Sequence, residues 1–99
     1  MQMIPLGKVA VATAGTLQQL STETAVNRII LKAGSGNTNK VYLGFEGLVK
    51  ATLVNCFWEL SPGGEFDSAQ FGLNDINPSK IYLDADTNGN YVTGALMVR

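Results

Sequence analysis

Histidine is absent from the 99-residue sequence, and cysteine occurs once, as Cys56. Without histidine the chain lacks the most frequent metal ligand and the usual base of serine and cysteine nucleophiles, which excludes zinc centres and most ordinary hydrolases. We therefore expect no catalytic residue and no cofactor. A single cysteine forms no intrachain disulfide, and the position of Cys56 between Val54 and Trp58 in an alternating segment predicts a buried, unreactive thiol in a reducing compartment.

Charged side chains are also scarce. They make up 15% of the residues, with 7 Lys and Arg against 8 Asp and Glu and a formal net charge of -1. The cations are scattered singly, which argues against binding to nucleic-acid phosphates. No apolar run approaches the roughly 18 residues of a membrane helix. Because Pro5, Gly7 and Lys8 interrupt the apolar start of the sequence, we expect a strand there and no export signal.

The sequence does contain short segments in which apolar and polar residues alternate, as in β-strands with one buried face. These segments are residues 8–13, 28–33, 40–45, 52–60, 80–85 and 91–99. Clusters of Gly, Asn, Pro and Ser, typical of turns, separate them. The pattern predicts an all-β domain, a small antiparallel β-sandwich or jelly-roll-like barrel of six to eight strands. Residues 8–99 would form this single domain after an N-terminal arm at residues 1–7.

The alternation also assigns side chains to faces. The residues predicted to point inward include Val9, Val11 and Thr13, then Ile29, Leu31 and Ala33, then Val41, Leu43 and Phe45, then Ile81, Leu83 and Ala85, and finally Val92, Leu96 and Val98. Phe57 and Trp58 are adjacent and fall on opposite faces of their strand. We expect Trp58 in the core and Phe57 on a surface that a partner covers.

The segment 84–90, DADTNGN, is the most specific local pattern in the sequence. Asp84, Asp86 and Asn88 stand at alternate positions before a glycine, as in the first half of a calcium loop. The twelfth position of such a loop falls on Ala95, where a bidentate glutamate is needed. We therefore prefer a hairpin turn through Asn88 and Gly89 that links residues 80–85 to 91–99, and keep a weak cation site as the alternative.

Six segments stand out when the sequence is taken in order, and they are KVAVATAGT at 8–16, QLST at 19–22, VNRIILKA at 26–33, NTNKVYLG at 37–44, LSPGGE at 60–65 and IYLDADTNG at 81–89. In this order they resemble segments of small virion structural proteins of tailed bacteriophages. Together they span nearly the whole chain. The sequence departs from the family pattern by an extra glycine at Gly63 and Gly64. It is also more apolar than expected at 48–57, which leaves open a specialised contact surface there.

The resemblance implies a jelly-roll-like sandwich on the phage particle, assembled in the host cytoplasm. The role it implies is that of a head decoration or cement protein bound to the outside of the major capsid protein shell, with no catalytic residues. The alternative is a carbohydrate- or receptor-binding module of the tail or fibre, for which Tyr91 beside Asn88 and Asn90 is the candidate site.

A 99-residue sandwich without a disulfide has a small core and free sheet edges, so we expect a homo-oligomer, either a dimer or a trimer. Pro5 should keep the N-terminal arm out of a central strand. We expect the arm to lie across a neighbouring chain instead. The predicted interface residues are Met3, Ile4, Leu6, Leu48, Val49 and Phe57.

Overall fold

The computed structural model describes residues 2–24, 26–72 and 76–98, and these form two antiparallel β-sheets packed face to face. The strands are β1 (Gln2–Pro5), β2 (Val9–Ala10), β3 (Gln18–Gln19), β4 (Arg28–Ala33), β5 (Val41–Val49), β6 (Val54–Leu60), β7 (Glu65–Asp67), β8 (Ile81–Ala85) and β9 (Tyr91–Val98). Two short 3₁₀ helices, η1 (Ser68–Phe71) and η2 (Pro78–Lys80), precede β8. The predicted all-β sandwich is confirmed.

The first sheet has the order β1-β9-β4-β7, with β2 also pairing with β9, and the second has the order β3-β8-β5-β6. β6 and β7 are consecutive in the chain but belong to different sheets, so the turn at residues 61–64 carries the chain from one sheet to the other. Gly63 has a φ of 79° in this turn, a conformation that glycine adopts without steric cost. The free edges β6 and β7 therefore lie on one side of the sandwich, and β1 and β3 lie on the other.

The core lies between the sheets and comes from the alternating positions. Ile29, Leu31 and Ala33 of β4 are completely buried, as predicted. The same holds for the inward residues of the central strands on both sheets, which are Val41, Leu43, Leu83, Ala85, Val92 and Leu96. Each fully buried valine, leucine or isoleucine side chain contributes about 1.5–3 kcal/mol relative to exposure. This core holds the two sheets together and fixes the relative position of their edges.

The chain between β8 and β9 forms no hairpin, so the predicted turn linking 80–85 to 91–99 is wrong. β8 belongs to the second sheet and β9 to the first. The intervening loop instead pairs with the segment after β2, because the Gly89 amide donates to the Val11 carbonyl and the Val11 amide to the Asn90 carbonyl. Asn90 is buried there. The Asn-Gly dipeptide makes a turn between sheets, not within one.

The N-terminal residues form an edge strand of their own sheet. β1 pairs with β9 from Gln2 opposite Val98 to Pro5 opposite Ala95, and Met1 lies outside the described residues. Proline is tolerated on such an edge. The sequence prediction that this arm lies across a neighbouring chain therefore differs from the arrangement in the single chain. The segment 8–13 also differs, because only Val9 and Ala10 belong to β2 and Thr13 is exposed.

No helix in the described part of the chain is long and apolar enough to span a membrane.

Candidate interaction surface

An apolar pocket opens between the free edges β6 and β7, and we call it the aromatic pocket. Its volume is about 340 Å³. Its walls are Ile29, Phe45, Phe57, Trp58, Phe66, Phe71, Ile76 and Ile81. Ile29, Phe66 and Ile81 are buried at its floor, whereas Phe45 and Phe71 are about half exposed at its mouth. None of these described wall residues carries a charge, so the surface they form takes up apolar groups without a desolvation penalty.

A β-bulge in β6 brings two aromatic side chains to this pocket. Leu43 pairs with Trp58, but the next residue of β5, Gly44, pairs with Cys56. Phe57 is therefore the extra residue, and a bulge interrupts the strict alternation of side chains. As a result Phe57 and Trp58 both line the pocket. The prediction that they occupy opposite faces is wrong.

Trp58 also lies less deep than predicted. It points to the same side as buried Leu60, but its exposed fraction is 36%, so the prediction of a core tryptophan is wrong. Phe57 is half-buried and packs against the core. The tryptophan ring therefore forms part of the mouth of the pocket, and the phenylalanine ring forms part of its wall.

The aromatic rings contact one another around the pocket. Phe66 lies at the centre, with its ring 5.6 Å from both Phe57 and Trp58 and stacked at 5.7 Å on Phe71. Trp58 and Phe71 meet edge to face at 5.2 Å, and Phe45 lies 5.1 Å from Phe57. Such pairs contribute about 0.5–1.5 kcal/mol each beyond area burial. The rings thus support each other in place although the mouth is open to solvent.

Phe71 reaches the pocket because η1 is anchored at its start. Asp67 accepts a hydrogen bond from the Ala69 amide, and Ser68 Oγ accepts one from the Ile29 amide of β4. Arg28 binds the carboxylate of Asp67 through Nε at 2.9 Å and Nη2 at 2.5 Å. This hydrogen bond from Arg28 holds the pKa of Asp67 below its usual value. The ion pair therefore fixes the helical turn that presents Phe71.

The hairpin between β5 and β6 adds more exposed apolar surface. Val49, Leu53 and Val54 are each about half exposed. Leu48, in contrast, is buried within the chain, because Gly44 has no side chain and leaves room for it. Leu48 therefore offers a partner little surface in the single chain, whereas its neighbour Val49 is available to one.

The predicted interface residues do not form one patch. Met3, Ile4 and Leu6 lie on or after β1, at the edge of the sandwich away from β6, and only Met3 among them is strongly exposed, at 61%. Ile4 and Leu6 pack against the core. Sequence reasoning missed Phe45 and Phe71 as surface residues. The alternation predicts that Phe45 points inward, and its ring does line the aromatic pocket. The alternation does not predict that the sandwich is open at this position, where Phe45 is half exposed.

Protein groups occupy the oxygens of the candidate cation site. Asp84 Oδ1 accepts from the amides of Gly15 and Ala85, and Asn88 Oδ1 accepts from the Ala14 amide. The Lys50 ammonium lies 3.6 Å from Asp86 and 4.0 Å from Asp84 and donates to the Ala85 carbonyl. Within the described residues no group of three or more His, Cys, Asp or Glu side chains is placed to hold a metal ion. These contacts tie the hairpin between β5 and β6 and the turn at 13–16 to β8.

Cys56 of β6 is half-buried, whereas the sequence predicts a buried thiol. Desolvation, with a smaller contribution from the charge of Glu59, raises the pKa of the thiol. A raised pKa lowers the thiolate fraction at neutral pH. The side chain is thus a poor nucleophile despite its partial exposure.

Tyr91, the candidate carbohydrate-binding residue, is half-buried, and other residues of the chain contact its ring. Lys8 Nζ lies 4.6 Å over its ring centroid. The ring also packs on the backbone of Gly34, so closely that a Cβ at this position would overlap the ring. Asn90 is buried and bonded to the backbone at Thr38 and Asn39. These residues hold the 34–39 loop on β9.

Comparisons with known proteins return no family model, no curated protein and no solved structure that matches this chain.

Proposed function

We propose that this chain is a virion structural protein that binds the outside of a bacteriophage head and stabilises the shell. The observation that carries the proposal is the aromatic pocket, a contiguous apolar surface on a small domain that has little charge. Surfaces of this kind on small soluble domains serve as contacts with other macromolecules. The resemblance of the ordered sequence segments to phage virion proteins favours the shell as the partner.

The chemistry of the surface favours binding over catalysis. The described residues that line the aromatic pocket carry only aliphatic groups and aromatic rings, and these supply no acid, base or nucleophile. Exposed tryptophan and phenylalanine side chains around a central pocket are instead typical of residues that dominate the affinity of protein interfaces. A protein that binds the assembled shell more tightly than free subunits stabilises the shell by mass action.

A test of the proposal uses particles of the phage that encodes the chain, prepared without it. Purified protein is added, and bound protein is measured by pelleting the particles. We expect saturable binding and a higher temperature of particle disruption. Phe71→Lys should weaken binding at least about tenfold, because a charge enters the apolar contact.

The matched control is Gln70→Lys, which adds the same charge at an exposed position of the same helical turn. This variant should bind within about twofold of the parent protein. Failure of the parent protein to bind particles would contradict the proposal. If Phe71→Lys and Gln70→Lys weakened particle binding equally, the aromatic pocket would not be the surface that contacts the shell.

The proposal also retains a homo-oligomer on a symmetry axis of the shell, as a dimer or a trimer. β1 is the free edge of the first sheet on the side away from the aromatic pocket, and it carries the exposed Met3. Contacts between copies through β1 would leave the aromatic pocket open to the shell.

A further inference from the structure

We propose that the aromatic pocket and the free edge of β6 together bind one extended segment of a partner protein, which adds as a strand to the second sheet and inserts one large apolar side chain into the pocket. This inference rests on the proposed function only for the identity of the partner, which is then a segment of the shell. Its chemistry follows from the residues of the surface itself.

The first argument is the main chain of β6. This strand has seven residues and is the terminal strand of its sheet. In the described ranges, no strand pairs with its outer side, which leaves a row of backbone amides and carbonyls for another strand. The other free edges are less suitable, because β2 and β3 have two residues each, β7 has three, and β1 ends in Pro5. β6 is therefore the edge at which a strand can add.

The second argument is the position of the pocket beside that edge. Phe57 and Trp58 belong to β6 and also line the pocket, because the bulge turns both rings toward it. In an added strand, alternate side chains would point to the same side as Trp58 and reach the mouth. A volume of about 340 Å³ lies within the range of protein binding pockets. Main-chain pairing and one inserted side chain thus occur in the same bound segment.

The third argument concerns which segment fits. A second copy of this chain, pairing through its own β6, would present two open pockets to each other, since its aromatic rings line its own pocket. It would fill neither pocket. The N-terminal strand of the same chain lies at the far edge of the other sheet. The wall residues that the structure describes are uncharged, so the fitting segment has a phenylalanine, tryptophan, leucine or methionine at its centre and no charge next to it.

The test begins with a synthetic peptide, acetyl-Lys-Thr-Val-Thr-Phe-Thr-Val-Thr-Lys-amide, titrated into the isotope-labelled chain and followed by amide chemical shifts. We expect shifts at β6 and around Phe71, and none around Met3. Replacing the central phenylalanine of the peptide by alanine should weaken binding at least about tenfold, as loss of an interface anchor does. Shifts that avoid β6, or equal affinities of the two peptides, would overturn the inference.

Two further peptides test the strand pairing. Each carries backbone N-methyl groups on alternate residues, so that one lacks the amides on one edge and the second lacks those on the other. Because only one edge of an added strand faces β6, one of these peptides should lose binding and the other should bind within about threefold of the parent. Equal behaviour of the two would overturn strand addition.

A further experiment tests strand addition to β6 on the particles themselves. Hydrogen exchange of the β6 amides should slow at least about tenfold when the full chain is bound to the shell, and exchange at β1 should change less. Particle binding without this protection would leave the proposed function standing and overturn strand addition to β6 by the shell. Peptide binding without particle binding would support the site and contradict the proposed function.

Discussion

Among single residues, Asp67 links the stability of the fold to the shape of the aromatic pocket. Its carboxylate binds Arg28 of β4 and also begins η1, the turn that carries Phe71. The side chains of Arg28 and Asp67 are 39% and 23% exposed, so solvent screens part of their attraction. Even so, the bidentate geometry makes this pair stronger than a single exposed contact.

We expect Asp67→Asn to lower the melting temperature by about 3 °C at pH 7, as loss of a partly exposed ion pair should in a domain of this size. The folded-state pKa of Asp67 is lowered, chiefly by the hydrogen bond from Arg28. The pair therefore stabilises the fold above the unfolded-state pKa of about 3.9, and this stability is lost as pH falls through the folded-state pKa. Thermal scans from pH 7 to pH 2 should show the two proteins converging.

The control for this prediction is Glu59→Gln. It removes the more exposed contact between Lys40 and Glu59, which spans 3.4 Å. Its effect on the melting temperature should stay within about 1 °C. A difference between Asp67→Asn and the parent that is constant down to pH 2 would mean that charge is not the reason for the effect.

Among the elements, the central strands are the part that the sequence predicts well. The inward positions of β4 and β8 follow directly from alternation, because each strand is regular and one face is buried. β6 could not be predicted in the same way. Its bulge depends on how it pairs with β5, which is a property of two paired segments and not of the sequence 54–60 alone. The sequence therefore predicts Phe57 as a surface residue but not its position beside Trp58 in one pocket, and it does not predict Phe71, which lies outside any strand.

The turn after β8 is a second case in which the local sequence does not determine strand pairing. Asn88 and Gly89 specify a tight turn, and a turn is present. The packing of the two sheets decides which strand pairs with β8. Leu83 and Val92 are both buried in the core, but Leu83 belongs to the second sheet and Val92 to the first. Local turn chemistry predicts a reversal of the chain without predicting whether it stays within one sheet.

The hairpin between β5 and β6 contains a strained backbone conformation whose effect on stability can be measured. Leu53 has a φ of 61°, in the left-handed region that residues with a Cβ rarely adopt, and its side chain is 46% exposed. We expect Leu53→Gly to raise the free energy of unfolding by about 0.5–1 kcal/mol, because relief of the backbone strain outweighs the greater freedom of the unfolded glycine. Urea unfolding at low micromolar protein measures this difference.

Asn55 provides the comparison, since it has a φ of 59° in the same hairpin. Asparagine tolerates this conformation better than leucine, so Asn55→Gly should gain less than Leu53→Gly. If Leu53→Gly were instead destabilising, the contacts of Leu53 with the groove beside Trp58 would outweigh the strain. Leu53 would then stabilise the fold through its packing contacts, despite the strain in its backbone.

At the scale of the whole molecule, the two sides of the sandwich are unlike each other. One side carries the aromatic pocket and the free edge of β6, and the opposite side carries β1 with Met3 as its exposed apolar residue. A protein with two such sides can bind its own copies through one and a larger surface through the other. Contacts between copies would then increase the affinity for a shell of repeated sites, because several weak contacts act together.

This separation gives the last prediction, which concerns the oligomer. We expect the chain to sediment as a dimer or trimer at tens of micromolar, and Met3→Lys to shift it to a monomer, because a charge enters the contact at the β1 edge. Gln2→Lys, on the other face of the same exposed strand, is the matched control and should shift the equilibrium less. The monomeric variant should keep its affinity for the peptide and lose affinity for particles, since it loses only the combined action of several sites. A chain that sediments as a monomer with and without the substitution, and binds particles equally well in both forms, would contradict the role of β1.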